Sequence, residues 1–329
     1  MLVRVGRLLP RQSLVLLKND DTFLPLSPHS LAGKKVAVVG ISDLIFAAYD
    51  TAGEGLTPVG KALQHALTAA GVAGTTVVTA RGCEFANKTK HRDATESDAA
   101  CANYNASDVV AALHGADLAL VFIGTGGGQQ VGEGHDMENI TLFGHQQRLI
   151  DDALAANPTM GVVVVTLTGN SLNISAAVAD TRANAIVHAG ARNHCSCFLF
   201  VRTNDTCVVL GGQPAGFPQH QGGLALVDVL LGRVVPSGRL PFTWARTMYD
   251  AGNLTNYTML GSNKTYRYEQ PDLLFPFAYR LSYTTFEYAD FTMSPKEVKP
   301  CGNASVNLSV RNTGAVGLLY RRVMCTSSG

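Results

Sequence analysis

Short apolar runs rich in β-branched residues alternate along the chain with stretches whose apolar positions recur every three or four residues. Lys35 to Gly40 (KVAVVG) reads as a buried strand. Val59 to Ala70 (VGKALQHALTAA) has helical spacing, and Gly71 is placed to stop it. The alternation then repeats. It gives strand Thr75 to Thr79, helix Ser107 to His114 with Ser107 as N-cap, strand Leu118 to Ile123, helix Gly144 to Ala156, strand Val162 to Leu167, helix Ile174 to Ala179 and strand Ala185 to His188. Apolar strands separated by amphipathic helices predict an α/β fold, a mostly parallel sheet sandwiched by helices. From about Phe286 the pattern changes. Tyr288, Phe291, Val306, Leu308 and Val310 sit among polar positions as in antiparallel strands, which predicts the start of a β-sandwich with too few strands to close.

Composition narrows the classes. At about 150 residues per domain, 329 residues predict about two domains with ample core. Charged residues are 16% and the net charge is +1, so no strong field exists to hold nucleic acid or an anionic membrane by charge alone. With 46% hydrophobic residues, the bulk of the chain is expected to be ordered. The longest apolar run, Gly161 to Leu167, falls far short of the roughly 20 residues that cross a bilayer. Met1 to Gly6 is too short for a signal peptide.

Compartment is read from Asn-x-Ser/Thr sequons. They start at Asn87, Asn105, Asn139, Asn173, Asn204, Asn253, Asn256, Asn263, Asn303 and Asn307. Seventeen Asn and 44 Ser plus Thr in 329 residues give about two by chance, so ten point to the secretory pathway and a glycoprotein. The bland alternative is Asn- and Thr-rich loops without glycans. Cys83 and Cys101 are near enough in sequence to close a short loop by a disulfide in an oxidising compartment. The expectation is a secreted, extracellular or lysosomal protein whose signal peptide is missing from this chain.

In an open parallel sheet, ligands sit beyond the carboxyl ends of strands, which directs attention to the loops after Gly40 and Ile123. Gly124 to Asp136 reads GTGGGQQVGEGHD, with Glu133, His135 and Asp136 as titratable groups. A dinucleotide site fits poorly: the third glycine of G-x-G-x-x-G would fall at Gln129 or Val131, and no helix starts directly behind the glycines. The other chemistry is glycosyl transfer to water, which needs two carboxyl groups. His194, Cys195, Cys197 and Cys207 lack a zinc-site spacing, and neither a metal nor an organic cofactor is expected.

Five motifs, in order, carry a resemblance. They are Ser13 to Leu26 (SLVLLKNDDTFLPL), Glu133 to Leu142 (EGHDMENITL), Gly144 to Ile150 (GHQQRLI), Leu231 to Trp244 (LGRVVPSGRLPFTW) and Tyr266 to Phe286 (YRYEQPDLLFPFAYRLSYTTF). Together they resemble glycoside hydrolase family 3 in its β-xylosidase and β-glucosidase branch. The resemblance implies a two-part active site in which a (β/α)8 barrel supplies an Asp nucleophile and an α/β sandwich domain supplies a Glu acid/base. This chain is expected to hold the second part and not the barrel: neither Ser42-Asp43 nor Ser97-Asp98 is followed by the Trp of the family's nucleophile motif. Alone it is therefore expected to be inactive. The implied layout is an interdomain connection at 1–33, an α/β sandwich domain at 34–285 and the start of a fibronectin type III-like domain at 286–329. Residues 191–215 read as an insertion foreign to the family pattern, of the kind a retained intron or frameshift leaves.

The resemblance also implies site roles. Relatives commonly carry E-x-E-G-x-D-R in the loop, and Val131 occupies the first Glu position here. Valine can neither give nor take a proton, so Glu133 is the candidate acid/base, with a structural loop carboxylate as the alternative. Asp136 is read as a partner for loop backbone or a sugar hydroxyl, and His135 as a partly exposed packing residue of the same loop. Met137 replaces an Arg and its bidentate fork. Ala278 and Arg280 replace glycines and Val235 an Asn; the first two cost stability wherever the glycine's positive φ is required. The implied partner is a carbohydrate with β-linked xylose, glucose or arabinose units. A sugar-binding relative that has lost catalysis is the second reading, and a nucleotide-binding domain the remote one.

Overall fold

The computed structural model describes residues 11, 13–42, 57–84, 101–125, 137, 139–190, 199–203, 206–210, 222–251, 256–258, 272–295, 297 and 305–316. In chain order they form β1 (Leu14–Asn19), β2 (Lys35–Gly40), α1 (Val59–Ala69), β3 (Thr76–Ala80), β4 (Cys83–Glu84), β5 (Asn103–Tyr104), α2 (Ala106–Leu113), β6 (Leu118–Gly124), α3 (Gln146–Ala156), β7 (Gly161–Leu167), α4 (Ser175–Ala179), β8 (Ala183–Ala189), β9 (Leu199–Thr203) and β10 (Thr206–Leu210). They continue with α5 (Gly222–Leu230), β11 (Trp244–Ala245), α6 (Met248–Ala251), β12 (Leu273–Phe275), β13 (Phe286–Ser294) and β14 (Ser305–Asn312).

Six strands form the main sheet in the order β1-β8-β7-β6-β2-β3. All neighbours run parallel except β1, which is antiparallel to β8. The central strands are apolar on successive residues because both faces are covered: Val36 to Val39, Leu120 to Ile123 and Val163 to Val165 have no exposed surface. In α1 the buried residues Val59, Ala62, Leu63, Ala66 and Leu67 follow the spacing of one helix face.

Connectivity fixes which face each helix covers. The chain steps outward from β2 to β3 through α1, then turns back across the sheet to β6 through α2. Right-handed crossovers made in opposite directions put α1 on one face and α2 on the other. The steps from β6 to β7 and from β7 to β8 continue in the second direction, so α3 and α4 join α2. Helix α5 packs on α1 and α2 on α3, which completes the two outer layers. The reversal falls between β2 and β6, and the crevice of such a sheet opens there, beyond the carboxyl ends of the strands.

The nine predicted strands and helices of the α/β region all occur, with ends shifted by no more than two residues. One cap differs. Helix α2 is capped by Asn105, whose Oδ1 accepts the Asp108 N–H at 3.3 Å, and Ser107 instead donates its hydroxyl to that same oxygen at 2.7 Å. Asn105 directly precedes the first helical residue, from where its side chain reaches the free Asp108 N–H, and Ser107 already lies inside the first turn.

Strand β1 lies within the predicted interdomain connection. Its LVLL run is buried, and its outer edge is covered: Gly238 N–H donates to Leu14 O at 3.1 Å and Leu281 N–H to Leu16 O at 2.8 Å. A side chain at Gly238 would overlap the Leu14 carbonyl, so the glycine of PSGRLP is what lets that segment approach the strand. Strands β13 and β14 pair with each other in a separate two-stranded ribbon.

Candidate functional site

The glycine-rich loop leaves β6 at the topological reversal, and its two flanks are tied down by specific polar contacts. The first flank is held by Gln146. This residue occupies the buried stripe of α3 together with Leu149, Ile150, Ala153 and Leu154, in a position where an apolar side chain would be expected. Its amide closes a paired bridge with one residue: Nε2 donates to Gly124 O at 2.9 Å and Oε1 accepts the Gly124 N–H at 2.6 Å. A Cβ at Gly124 would overlap the Leu167 carbonyl on the neighbouring strand. The next residue, Thr125, donates its N–H to Leu167 O at 3.1 Å and is buried.

The second flank is held from the loop after β7. Thr168 turns that loop by donating to Asn170 O at 2.9 Å and accepting the Asn170 N–H at 3.1 Å. Asn170 then donates from Nδ2 to the sulfur of Met137 at 3.4 Å. Thr125 and Thr168 hydroxyls meet at 3.5 Å, linking the two flanks. The Met137 thioether thus accepts one weak hydrogen bond and carries no charge.

His188, next to last in β8, is fully buried. Its Nδ1 lies 3.0 Å from the Thr166 hydroxyl, and its ring meets Trp244 edge-on at 5.1 Å and Phe242 at 6.1 Å. Burial pushes this imidazole down to about 3, so it is a neutral hydrogen-bonding group inside the sheet. Trp244 is fixed in turn by donating Nε1–H to Leu172 O at 2.8 Å.

Glu133, His135 and Asp136, the sequence-derived loop residues, lie outside the described residues. So does Val131. What the structure brings together at the two flanks is Gly124, Thr125, Met137, Gln146, Thr168 and Asn170. Sequence reasoning assigned no role to Gln146 or His188, although each carries a signal: a polar residue in register with an apolar stripe, and a histidine inside an apolar strand. Among the described residues, no group of three or more His, Cys, Asp or Glu is placed to hold a metal ion. His194, Cys195 and Cys197 lie outside them, as does the side chain of Cys207. No helix among the described residues is long and apolar enough to cross a membrane.

The structure joins Cys83 in β4 to Cys101, two residues before β5, in a disulfide with Cα atoms 4.2 Å apart. Of the sequon asparagines, Asn105, Asn139, Asn256 and Asn307 are exposed and Asn173 is half-buried. Asn87, Asn204, Asn253, Asn263 and Asn303 lie outside the described residues.

A mixed, mainly parallel sheet between helix layers, with the flanks of a glycine-rich loop pinned at its carboxyl edge, defines an α/β sandwich domain. The family model for the glycosyl hydrolase family 3 C-terminal domain matches residues 14–194 and 213–283, and the chain belongs to that family. The unmatched stretch between those two parts falls within 191–215. A β-xylosidase/α-L-arabinofuranosidase from Medicago sativa subsp. varia is 28% identical over 286 residues, covering 84% of this chain and 31% of the relative. A periplasmic β-glucosidase from Salmonella typhimurium is 26% identical, covering 94% of this chain and 38% of the relative. The chain therefore spans between about a third and two fifths of the length of these two curated relatives. Among solved structures, a family 3 β-glucosidase from Bifidobacterium adolescentis superposes with a TM-score of 0.66 at 22% identity, over 96% of this chain and 41% of that one. A β-D-glucoside glucohydrolase from Trichoderma reesei gives 0.64 at 22% identity, over 95% and 43%. These likenesses establish the fold.

Proposed function

We propose that this chain is the acid/base half of a retaining β-glycosidase that hydrolyses O-glycosyl bonds of β-xylosides or β-glucosides. The observation that carries this reading is the anchored loop: Gln146 on one flank and Asn170 on the other hold both ends of the segment bearing Glu133 at the crevice of a family 3 domain. Glu133 protonates the departing glycosidic oxygen and then takes a proton from the attacking water. A carboxylate from an N-terminal barrel in the same protein attacks the anomeric carbon. Retention requires the two carboxyl groups about 5 to 5.5 Å apart, so this chain without the barrel does not turn over. His135 and Asp136 complete the loop's polar surface toward sugar hydroxyls.

The same reading places the protein outside the cell or in the lysosome, with glycans on its exposed sequons. Asn105, Asn139, Asn256 and Asn307 are accessible, and a glycosidase-sensitive mass excess on the protein from its source checks this. The segment from β13 onward begins a fibronectin type III-like sandwich.

Glu133→Gln in the complete enzyme tests the acid/base role. The expected loss in turnover is about 10² to 10⁴ on unactivated glycosides. It should shrink on aryl glycosides whose phenolate leaves without protonation. Unchanged turnover on both classes removes Glu133 from the mechanism. A second reading, a sugar binder without catalysis, is favoured by the uncharged Met137–Asn170 contact where relatives carry an Arg. Oligosaccharide binding with no hydrolysis by the complete protein would establish it.

A further inference from the structure

The Cys83–Cys101 disulfide is remote from the crevice in sequence, yet an unbroken set of contacts runs from it to the base of the glycine-rich loop. Cys101 takes the left-handed backbone conformation, φ 67°, which L-residues rarely adopt. In that pose its carbonyl accepts the His145 N–H at 2.9 Å. His145 is the N-cap of α3, an end where the cap side chain makes no hydrogen bond to the helix. The next residue is Gln146, whose amide is bridged to both backbone polar groups of Gly124.

A second set of contacts docks the same hairpin along the helix. Tyr104 on β5 donates its hydroxyl to Asp152 Oδ2 at 2.6 Å. The Arg148 guanidinium lies over the Tyr104 ring at 5.3 Å, and the His145 ring is 6.0 Å from it. The β4–β5 pair therefore grips the first two turns of α3 at its N-cap and at its exposed face. An L-residue stays in a left-handed pose when its surroundings over-determine it, and the disulfide is the covalent part of those surroundings.

We propose that the Cys83–Cys101 disulfide is a positioning device for the loop base, holding the first turn of α3 so that Gln146 keeps Gly124 in place. Breaking the bond frees the Cys101 carbonyl to swing, releases the His145 N–H and lets the Gln146–Gly124 bridge open. The coupling rests on these contacts and is independent of the hydrolase reading; its effect on turnover is not.

Native-state hydrogen exchange on this chain tests it. In a Cys83→Ala/Cys101→Ala variant the His145 and Gly124 amides should exchange about tenfold faster, while Val163 and Val164 in β7 keep their wild-type rates. Gln146→Ala with the disulfide intact should speed Gly124 and leave His145 protected. If the double variant does not fold, the folded wild type is reduced with dithiothreitol, which supplies two electrons and two protons to give two thiols and itself closes to a cyclic disulfide. The same two amides should then accelerate. Gly124 exchanging at its wild-type rate once the bond is gone overturns the proposal. So does acceleration of the β7 amides in step with Gly124, which marks general loosening.

Discussion

Strands β6 and β7 and the ribbon of β13 and β14 are built from similar residues, and they meet opposite fates. Every side chain from Leu118 to Gly124 is buried between two helix layers. In the ribbon, Phe291 is 69% exposed, Val306 52% and Tyr288 48%. The ribbon's apolar residues are nonetheless sorted onto one face. Tyr288 lies opposite Val310 and Met293 opposite Val306, although Tyr288 and Met293 are an odd number of residues apart. The bulge between Ala289 and Thr292, with Asp290 at φ 54°, resets the phase. A strand pair that bends its own backbone to gather apolar side chains on one side is shaped to be covered. The difference teaches that alternation specifies a face, and that burial depends on what the rest of the protein brings to it.

The sharpest way to break this comparison is to truncate one leucine in each region. Leu120→Ala in β6, fully buried, should cost about 3 kcal/mol of stability in denaturant melts of this chain. Leu308→Ala on the ribbon should cost under about 0.5 kcal/mol in the same chain. If the sandwich reading is right, Leu308→Ala becomes costly in a protein carrying the remaining strands. Equal losses at both positions in this chain would erase the distinction between the regions.

Proton uptake sharpens the comparison from inside the sheet. The buried His188 ring has a folded pKa near 3, below its ordinary 6.5. The unfolded chain therefore binds a proton at pH values where the folded chain does not. Stability is intact above about pH 6.5 and is lost as pH falls toward 3, by at most about 1.4 kcal/mol per pH unit. Urea melts at pH 7 and pH 5 should differ by about 2 kcal/mol, and His188→Gln should remove most of that difference. The same slope in the variant would assign the proton uptake elsewhere.

Legibility in the sequence followed the same division. Strands such as KVAVVG and GVVVVTL, and helices such as α1, were readable because their apolar spacing has one physical solution in a covered sheet. Strand β1 was hidden because its motif is followed by polar and proline residues, and its pairing with β8 joins segments far apart in sequence. The loop residues were nameable from their glycine and carboxylate pattern. Their anchors were not, because Gln146 acquires its meaning when α3 turns it toward Gly124. The cap of α2 falls two residues before Ser107 because Asn105 and Ser107 are both competent caps, and the backbone chooses between them.

The smallest effect concerns a position where the sequence and the backbone disagree. Of the two residues expected at glycine positions of the FPF segment, Ala278 has φ 65° and Arg280 does not have a positive φ. Ala278 is held there by its neighbours: its N–H donates to Leu240 O at 2.9 Å, and its carbonyl accepts from Arg239 Nη1 at 2.9 Å. The turn thus keeps a glycine conformation while carrying a methyl group. Ala278→Gly removes the left-handed penalty and gives back part of the gain as unfolded-chain entropy, so a net stabilisation of about 0.5 to 1 kcal/mol is expected. Arg280→Gly has no such strain to relieve; it loses the guanidinium's place over the Phe286 ring, 5.7 Å away, and should be neutral or destabilising. Thermal melts of the two variants should move in opposite directions. A stabilising Arg280→Gly, or a destabilising Ala278→Gly, would show that the left-handed turn is not what limits this segment.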